Sequence, residues 1–175
     1  MVKNLRNLFI LTCLLLMSMA VYSVPKIPKE VIFEGEVYKQ GSQNGDGVKK
    51  GRYTEYFREG ENRKNYEKII AIDELLDQSD LKEFMSGNKP MINKDPEYSM
   101  TFKKDGSEAA WTYVDPYATQ YIISRSMKKD GHIVSYIFIY NFYEDNDTRH
   151  AKQLKNMKQN KDKWKKELEA ANYIN

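Results

Sequence analysis

The sequence predicts an α+β domain: a curved antiparallel sheet of about six to seven strands with a long C-terminal helix packed across one face. Three observations predict it. Asp105-Gly106 and Asp130-Gly131 each sit between β-rich runs, the strongest short-range hairpin signal a sequence offers. Around both bends, bulky apolar residues alternate with small polar ones, the period-2 pattern of strands with two unlike faces. Near the C-terminus, Ala151, Leu154, Met157, Trp164, Leu168 and Ala171 fall near one helical stripe.

Of the 175 residues, the first 23 differ from the rest. Lys3 and Arg6 give a positive start, and Leu8 to Met19 is an apolar run. Ser18 and Ala20 are small, and the breaker Pro25 follows Ser23. This is the three-part pattern of an export signal, with cleavage expected after Ala20 or Ser23. The competing reading is an uncleaved anchor, but the run is roughly a dozen residues and an upright span needs about 20. The expected organisation is a signal over residues 1–23 and one domain over 24–175, placed in the periplasm or secreted.

Cys13 is the only cysteine, and it lies inside the apolar run. Ile10, Leu11 and Thr12 precede it, which does not fit a lipoprotein signal. A domain starting after it has no thiol, so disulfides, thiolate metal sites and cysteine nucleophiles are excluded. The formal net charge is +3, of which Lys3 and Arg6 supply two. From Thr148 to Asn175 eight Lys or Arg oppose three Asp or Glu, giving +5. The body from Val21 to Asp147 therefore carries 3 − 2 − 5 = −4. An acidic body and a basic tail can attract each other, or the tail can face a partner.

Along the chain, Val31 to Lys39 reads as a first strand and the Gly, Asn and Asp-rich stretch Gly41 to Gly51 as a loop. Arg52 to Arg58 is a second strand, Gly60-Glu61-Asn62 a turn, and Lys68 to Ile72 a short apolar strand. Ser79 is a plausible cap for a helix over Asp80 to Met85 that ends at Gly87, and Asn88 to Pro96 is irregular. With Asp and Gly at the centre of each turn, Phe102 faces Ala109, Met100 faces Trp111 and Tyr98 faces Tyr113. In the second hairpin Met127 faces Val134, Arg125 faces Tyr136, Ile123 faces Phe138, and Tyr121 faces Tyr140.

Each hairpin then has one aromatic face. Tyr98, Met100, Phe102, Trp111 and Tyr113 form one; Tyr121, Ile123, Tyr136, Phe138, Tyr140 and Phe142 form the other. These rings, at roughly 150–250 Å² each, are the expected core. A helix over 148–172, capped within Asp145 to Thr148, is expected to cover them. The reverse face would carry Thr101, Thr112, Ser124 and Ser135 around Ile137 and Ile139. Two neighbouring isoleucines call for cover from the first-half strands, or for a shallow binding surface.

The chemistry-bearing residues form no signature. His132 follows a turn, where exposure is expected, and His150 starts the helix; neither has the spaced partners of a metal site or triad. Glu34 and Glu36 share a strand face and Glu55, Glu59 and Glu61 cluster around the second strand, but acids are usually solvated. A carboxylate pair could serve as general acid and base. Asn44-Gly45-Asp46-Gly47 lacks the ligand series of an EF-hand. No phosphate loop, nucleophile elbow or dinucleotide fingerprint is present. Lys155, Lys158 and Lys165 are candidates for contact with an anionic surface, although lysines ordinarily coat an amphipathic helix. Arg125 opposite Tyr136 suits packing better than a pocket.

Phe33-Glu34-Gly35, Tyr56-Phe57, Gly60-Glu61-Asn62 and Asn65-Tyr66 together resemble segments of small exported bacterial proteins of unassigned function. The resemblance brings no fold or site residues with it. In general build the chain is also similar to periplasmic immunity proteins, without a shared motif.

The expectation is an exported, non-enzymatic binding protein that recognises a protein partner in the bacterial envelope, of immunity or inhibitor type. The alternatives are a small carboxylate-dependent hydrolase and a protein that binds anionic lipid through its basic helix. No metal or cofactor is expected, a protein is the expected partner rather than nucleic acid, and the oligomeric state stays open.

Overall fold

The computed structural model describes residues 26–45, 51–87, 99–103, 108–114, 120–143 and 147–174. Among the described residues eight strands run in chain order as β1 (Glu30–Phe33), β2 (Glu36–Asn44), β3 (Arg52–Phe57), β4 (Lys68–Leu75), β5 (Ser99–Phe102), β6 (Glu108–Val114), β7 (Gln120–Lys129) and β8 (His132–Asn141). Helix α1 (Leu81–Gly87) follows β4, and α2 (Asp147–Ala170) follows β8. The strands form one curled antiparallel sheet in the order β1-β2-β3-β4-β8-β7-β6-β5. Two meanders, β1 to β4 and β5 to β8, are thus joined where β4 meets β8.

Turn chemistry sets the registers. Asp130 and Gly131 both have positive φ, 50° and 85°, as a two-residue hairpin turn requires. That places Tyr121 against Tyr140, Ile123 against Phe138, Arg125 against Tyr136 and Met127 against Val134, as the sequence predicts. In the other hairpin Met100 faces Trp111 and Phe102 faces Ala109, again as predicted; Tyr98 lies outside the described residues.

The first predicted strand is instead a hairpin. Glu34 and Gly35 adopt φ of 55° and 76°, folding β1 back on β2 so that Val31 faces Tyr38. Apolar alternation runs through this bend, so only the glycine hints at it. Glu34 therefore lies in the turn and Glu36 in β2, not on one strand face. Gly41 to Asn44, expected in a loop, extend β2 past a register shift between Gln40 and Ser42. Asp46 to Lys50 and Asn88 to Pro96 lie outside the described residues, as do Asp145 and Asn146 of the proposed cap of α2. Asp80, one residue after the expected Ser79, caps α1: its Oδ1 accepts from the backbone N–H groups of Lys82 and Glu83 at 2.9 and 3.0 Å.

One sheet face is the main core. Phe33 stacks on Phe138 with centroids 4.8 Å apart, and Trp164 of α2 meets Phe138 at 4.9 Å and Tyr140 at 5.1 Å. Met157 and Leu168 are buried beside Trp164, with Leu154 and Ala171 at the margin. Ala151, expected in the stripe, is exposed, and Gln153 is buried in its stead. Gln153 bridges the sheet: its Oε1 accepts from Tyr143 N–H at 3.0 Å and its Nε2 donates to Asn141 O at 3.1 Å. His132, expected in solvent, is only 7% exposed. It stands on the same face as Val134 and Tyr136, so strand parity overrides its place beside a turn.

The two aromatic faces do not coincide. Trp111 pairs with Ser124 and Thr112 with Ile123, whereas Ile123 pairs with Phe138. Directly opposed residues share a face. Trp111 and Met100 therefore belong to the side of the sheet opposite Phe138. A one-residue change of phase exchanges the faces of a whole hairpin, and the β6–β7 connection sets that phase, not either Asp-Gly turn.

Candidate functional site: an acidic cavity on the reverse face

The face turned away from α2 carries Ile69, Ala71, Asp73 and Leu75 on β4, opposed by Ile139, Ile137, Ser135 and Ile133 on β8. Further across, Ser124 faces Ile137 and Ser126 faces Ser135. The first-half strands extend the sheet and do not cover this face. At one end, the chain between β3 and β4 folds over it: Tyr66 packs into the cluster of Phe57, Ile69 and Ala71 that Ile137 and Ile139 also border. Its hydroxyl accepts from Gln120 Nε2 at 2.8 Å, and its carbonyl accepts from the Tyr143 hydroxyl. At the other end α1 lays Leu81 and Met85 against Ala109 and Ile133.

Between these covers lies a cavity of about 780 Å³. Its sheet side is Asp73, Ser124, Ser135 and Ile137, and its helix side includes Phe84, Asp80 and Glu83. Leu75, Asp77, Gln78 and Ser79 complete the described wall. Ser135 Oγ is hydrogen-bonded to Ser126 Oγ at 2.7 Å. Ser124 is 1% exposed, and its hydroxyl has no hydrogen-bond partner among the described residues. A buried hydroxyl without a partner is uncommon and asks for an explanation.

Asp73 is half-buried, and burial pushes its carboxyl up to about 6, with the neighbouring Glu74 charge adding to the rise. The Asp80 carboxyl is held below its usual range by the Glu83 and Lys82 backbone N–H groups. No described lysine or arginine lines the cavity.

Ser124, Ser135 and Ile137 are thus brought together as the sequence suggested, with Ile139 half-buried beside Ile137 in the apolar cluster. Thr101 and Thr112 are not. Thr101 opposes Ala110, which opposes Arg125, and Thr112 opposes Ile123, so both belong to the α2 side. The phase error that misplaced Trp111 misplaced them too. Lys155 and Lys158 are exposed on α2 and Lys165 is half-buried, all remote from this face of the sheet. Arg125 is structural: it holds Glu108 through two nitrogens at 3.2 and 3.0 Å and donates to Ala171 O at 2.6 Å.

Asp73 went unnoticed in the sequence, where it ends an apolar run and forms part of no motif. Its one signal is parity: it is the acid on the face of β4 that also carries Ala71 and Ile69. The carboxylates singled out instead are paired. Glu34 binds Lys68 and Lys163, Glu36 and Glu61 bind Arg58, and Glu59 meets Lys39 at 3.4 Å. Glu55, expected in solvent, is buried and held by Arg63 at 2.5 Å and by the Ser42 hydroxyl at 2.5 Å.

Among the described residues no group of three or more His, Cys, Asp or Glu could hold a metal ion, and no helix is long and apolar enough to cross a membrane. No family model, no curated protein and no solved structure matches this chain.

Proposed function

We propose that the chain is an exported, non-enzymatic binding protein of the bacterial envelope, and that it takes hold of a protein partner at the reverse-face cavity. The supporting observation is the Ser124 hydroxyl, without a partner among the described residues, in a cavity that also contains the Asp73 carboxylate and apolar side chains. A few fixed polar groups among apolar ones are what recognition sites present. The export half of the reading rests on Lys3, Arg6 and the apolar run to Met19.

Co-purification of the tagged chain from an envelope extract tests it. A stoichiometric partner is expected, and Ser124→Val together with Asp73→Asn should lose it. Recovery of no partner, or full recovery with both substitutions in place, sinks the reading.

One observation favours a second reading, a carboxylate-dependent hydrolase. A carboxyl raised to about 6 can exchange protons near neutral pH, as a general acid or base must. Turnover of chromogenic glycosides or esters that Asp73→Asn abolishes would establish it.

A further inference from the structure

The charge and shape of the cavity say more about what enters it, if the binding reading above is right. We propose that the partner inserts a basic side chain, lysine or arginine, into the reverse-face cavity, with Asp73 as its counter-charge.

Charge is the first argument. Asp73, Asp77, Asp80 and Glu83 all line the cavity, and no described cation does. Elsewhere several buried or partly buried acids have cations of their own: Glu34 has Lys68, Glu55 has Arg63, and Glu108 has Arg125. Asp73 has neither an ion pair nor a hydrogen bond among the described residues, and of the four lining acids it is the half-buried one, where an incoming charge is least screened by water. Asp80 already has one oxygen committed to capping α1.

The polar floor is the second argument, and it is independent of charge. Ser124 is 1% exposed with a hydroxyl that nothing in the described structure satisfies. An ammonium or guanidinium group has donors to spare, and a hydroxyl oxygen can accept one. Shape is the third. Phe84, Leu75 and Ile137 provide an apolar wall beside the carboxylates. Long basic side chains bury their methylene stems along such walls and keep the charged head on polar groups. A volume of about 780 Å³ lies within the usual ligand-site range of roughly 300–1,000 Å³. A metal ion is the poorer fit, because no three described His, Cys, Asp or Glu residues are grouped to hold one.

The test is titration of the isotope-labelled full chain, followed by NMR, with N-acetyl-lysine methylamide and N-acetyl-arginine methylamide. The norleucine analogue supplies the same stem without charge. The cationic probes should give saturable shifts at the amides of Asp73, Phe84, Ser124 and Ser135, and Asp73→Asn should weaken them at least about tenfold. The variant's own spectrum reports whether it is folded. Absence of localised shifts, equal shifts from norleucine, or the same shifts from calcium chloride alone would each overturn the proposal.

The two readings fail separately. If the probes do nothing while an envelope partner is captured equally by the wild type and Asp73→Asn, the inference falls and partner binding stands. If the probes bind and no envelope partner exists, the cavity takes free organic cations, and the proposal is overturned in its stated form.

Discussion

The Tyr136 hydroxyl accepts a hydrogen bond from the backbone N–H of Ile174 at 3.1 Å, and a second from Tyr173 N–H at the same distance. One phenol oxygen thereby fixes the chain beyond α2, helped by Arg125 on Ala171 O and by Lys129 on Ile174 O. Ile174 is fully buried in the main core, so this is a latch with an apolar plug.

Tyr136→Phe keeps the ring and removes the acceptor. Two N–H groups near the core lose their partner, a loss of about 1–3 kcal/mol. Urea unfolding should show it, and hydrogen exchange at Tyr173 and Ile174 should accelerate more than at β7 or β8. Uniform acceleration would mean that the latch is not a local unit.

Trp164 is fully buried between Phe138, Tyr140 and Tyr121, and it joins α2 to the sheet. Trp164→Ala should cost about 3–5 kcal/mol, the usual range for emptying such a site. A loss below about 1 kcal/mol in urea melts would mean that α2 is not seated as described.

Asp73 makes a pH-dependent contribution whose sign is unusual for a carboxylate. Its folded value of about 6 lies above the ordinary 3.8, so between these values the native state binds more protons than the unfolded one. Stability from this group is therefore present below about pH 4 and is lost as pH rises through 6. Burial is the larger cause and the Glu74 charge beside it acts in the same direction; Asp80 and Glu83 stand across the cavity on the α1 side, and Ser124 and Ser135 carry no charge. Asp73→Asn should stabilise the protein at pH 7 by about 1–3 kcal/mol relative to wild type. The gain should shrink toward pH 4, and thermal melts of both proteins at pH 4, 5, 6 and 7 will show whether it does.

Gly51 and Gly60 both have positive φ, 111° and 81°, yet they should respond differently to alanine. A Cβ on Gly51 would lie 1.7 Å from the Glu74 carbonyl oxygen, whereas one on Gly60 would meet nothing within 4 Å. Gly60→Ala should cost about 1–2 kcal/mol, from backbone strain alone. Gly51→Ala should cost clearly more, because β3 and β4 must also separate at Arg52 and Glu74. Equal melting temperatures for the two variants would contradict this geometry.

Much of the sheet was legible because glycine-containing turns fix register locally. Asp130-Gly131 dictated every predicted pair from Met127–Val134 to Tyr121–Tyr140. The relation between the two hairpins was not legible. It depends on whether the connection after Val114 holds an odd or even number of residues outside the ladder, and nothing in its composition says which. Thr101 and Thr112 were lost from the candidate site for that reason alone. The cavity itself needed α1 to stand over β6 and β7, a long-range placement that no local pattern in Leu81 to Gly87 encodes. Glu34-Gly35 was missed because a turn with glutamate at its first position lacks the usual Asn or Asp signal.

The main core draws on Val31 and Phe33 from the first strand and on Trp164, Leu168 and Ile174 from the last segment. Glu34 fastens the same two ends together through Lys163 and through its own N–H on the Glu167 carboxylate. The β1–β2 hairpin has β3 beside it at once, but the aromatic core it contributes to is completed only when Trp164, Leu168 and Ile174 are in place. Contacts this distant in sequence form slowly, so closure of α2 over the sheet is expected to be the slow step of folding.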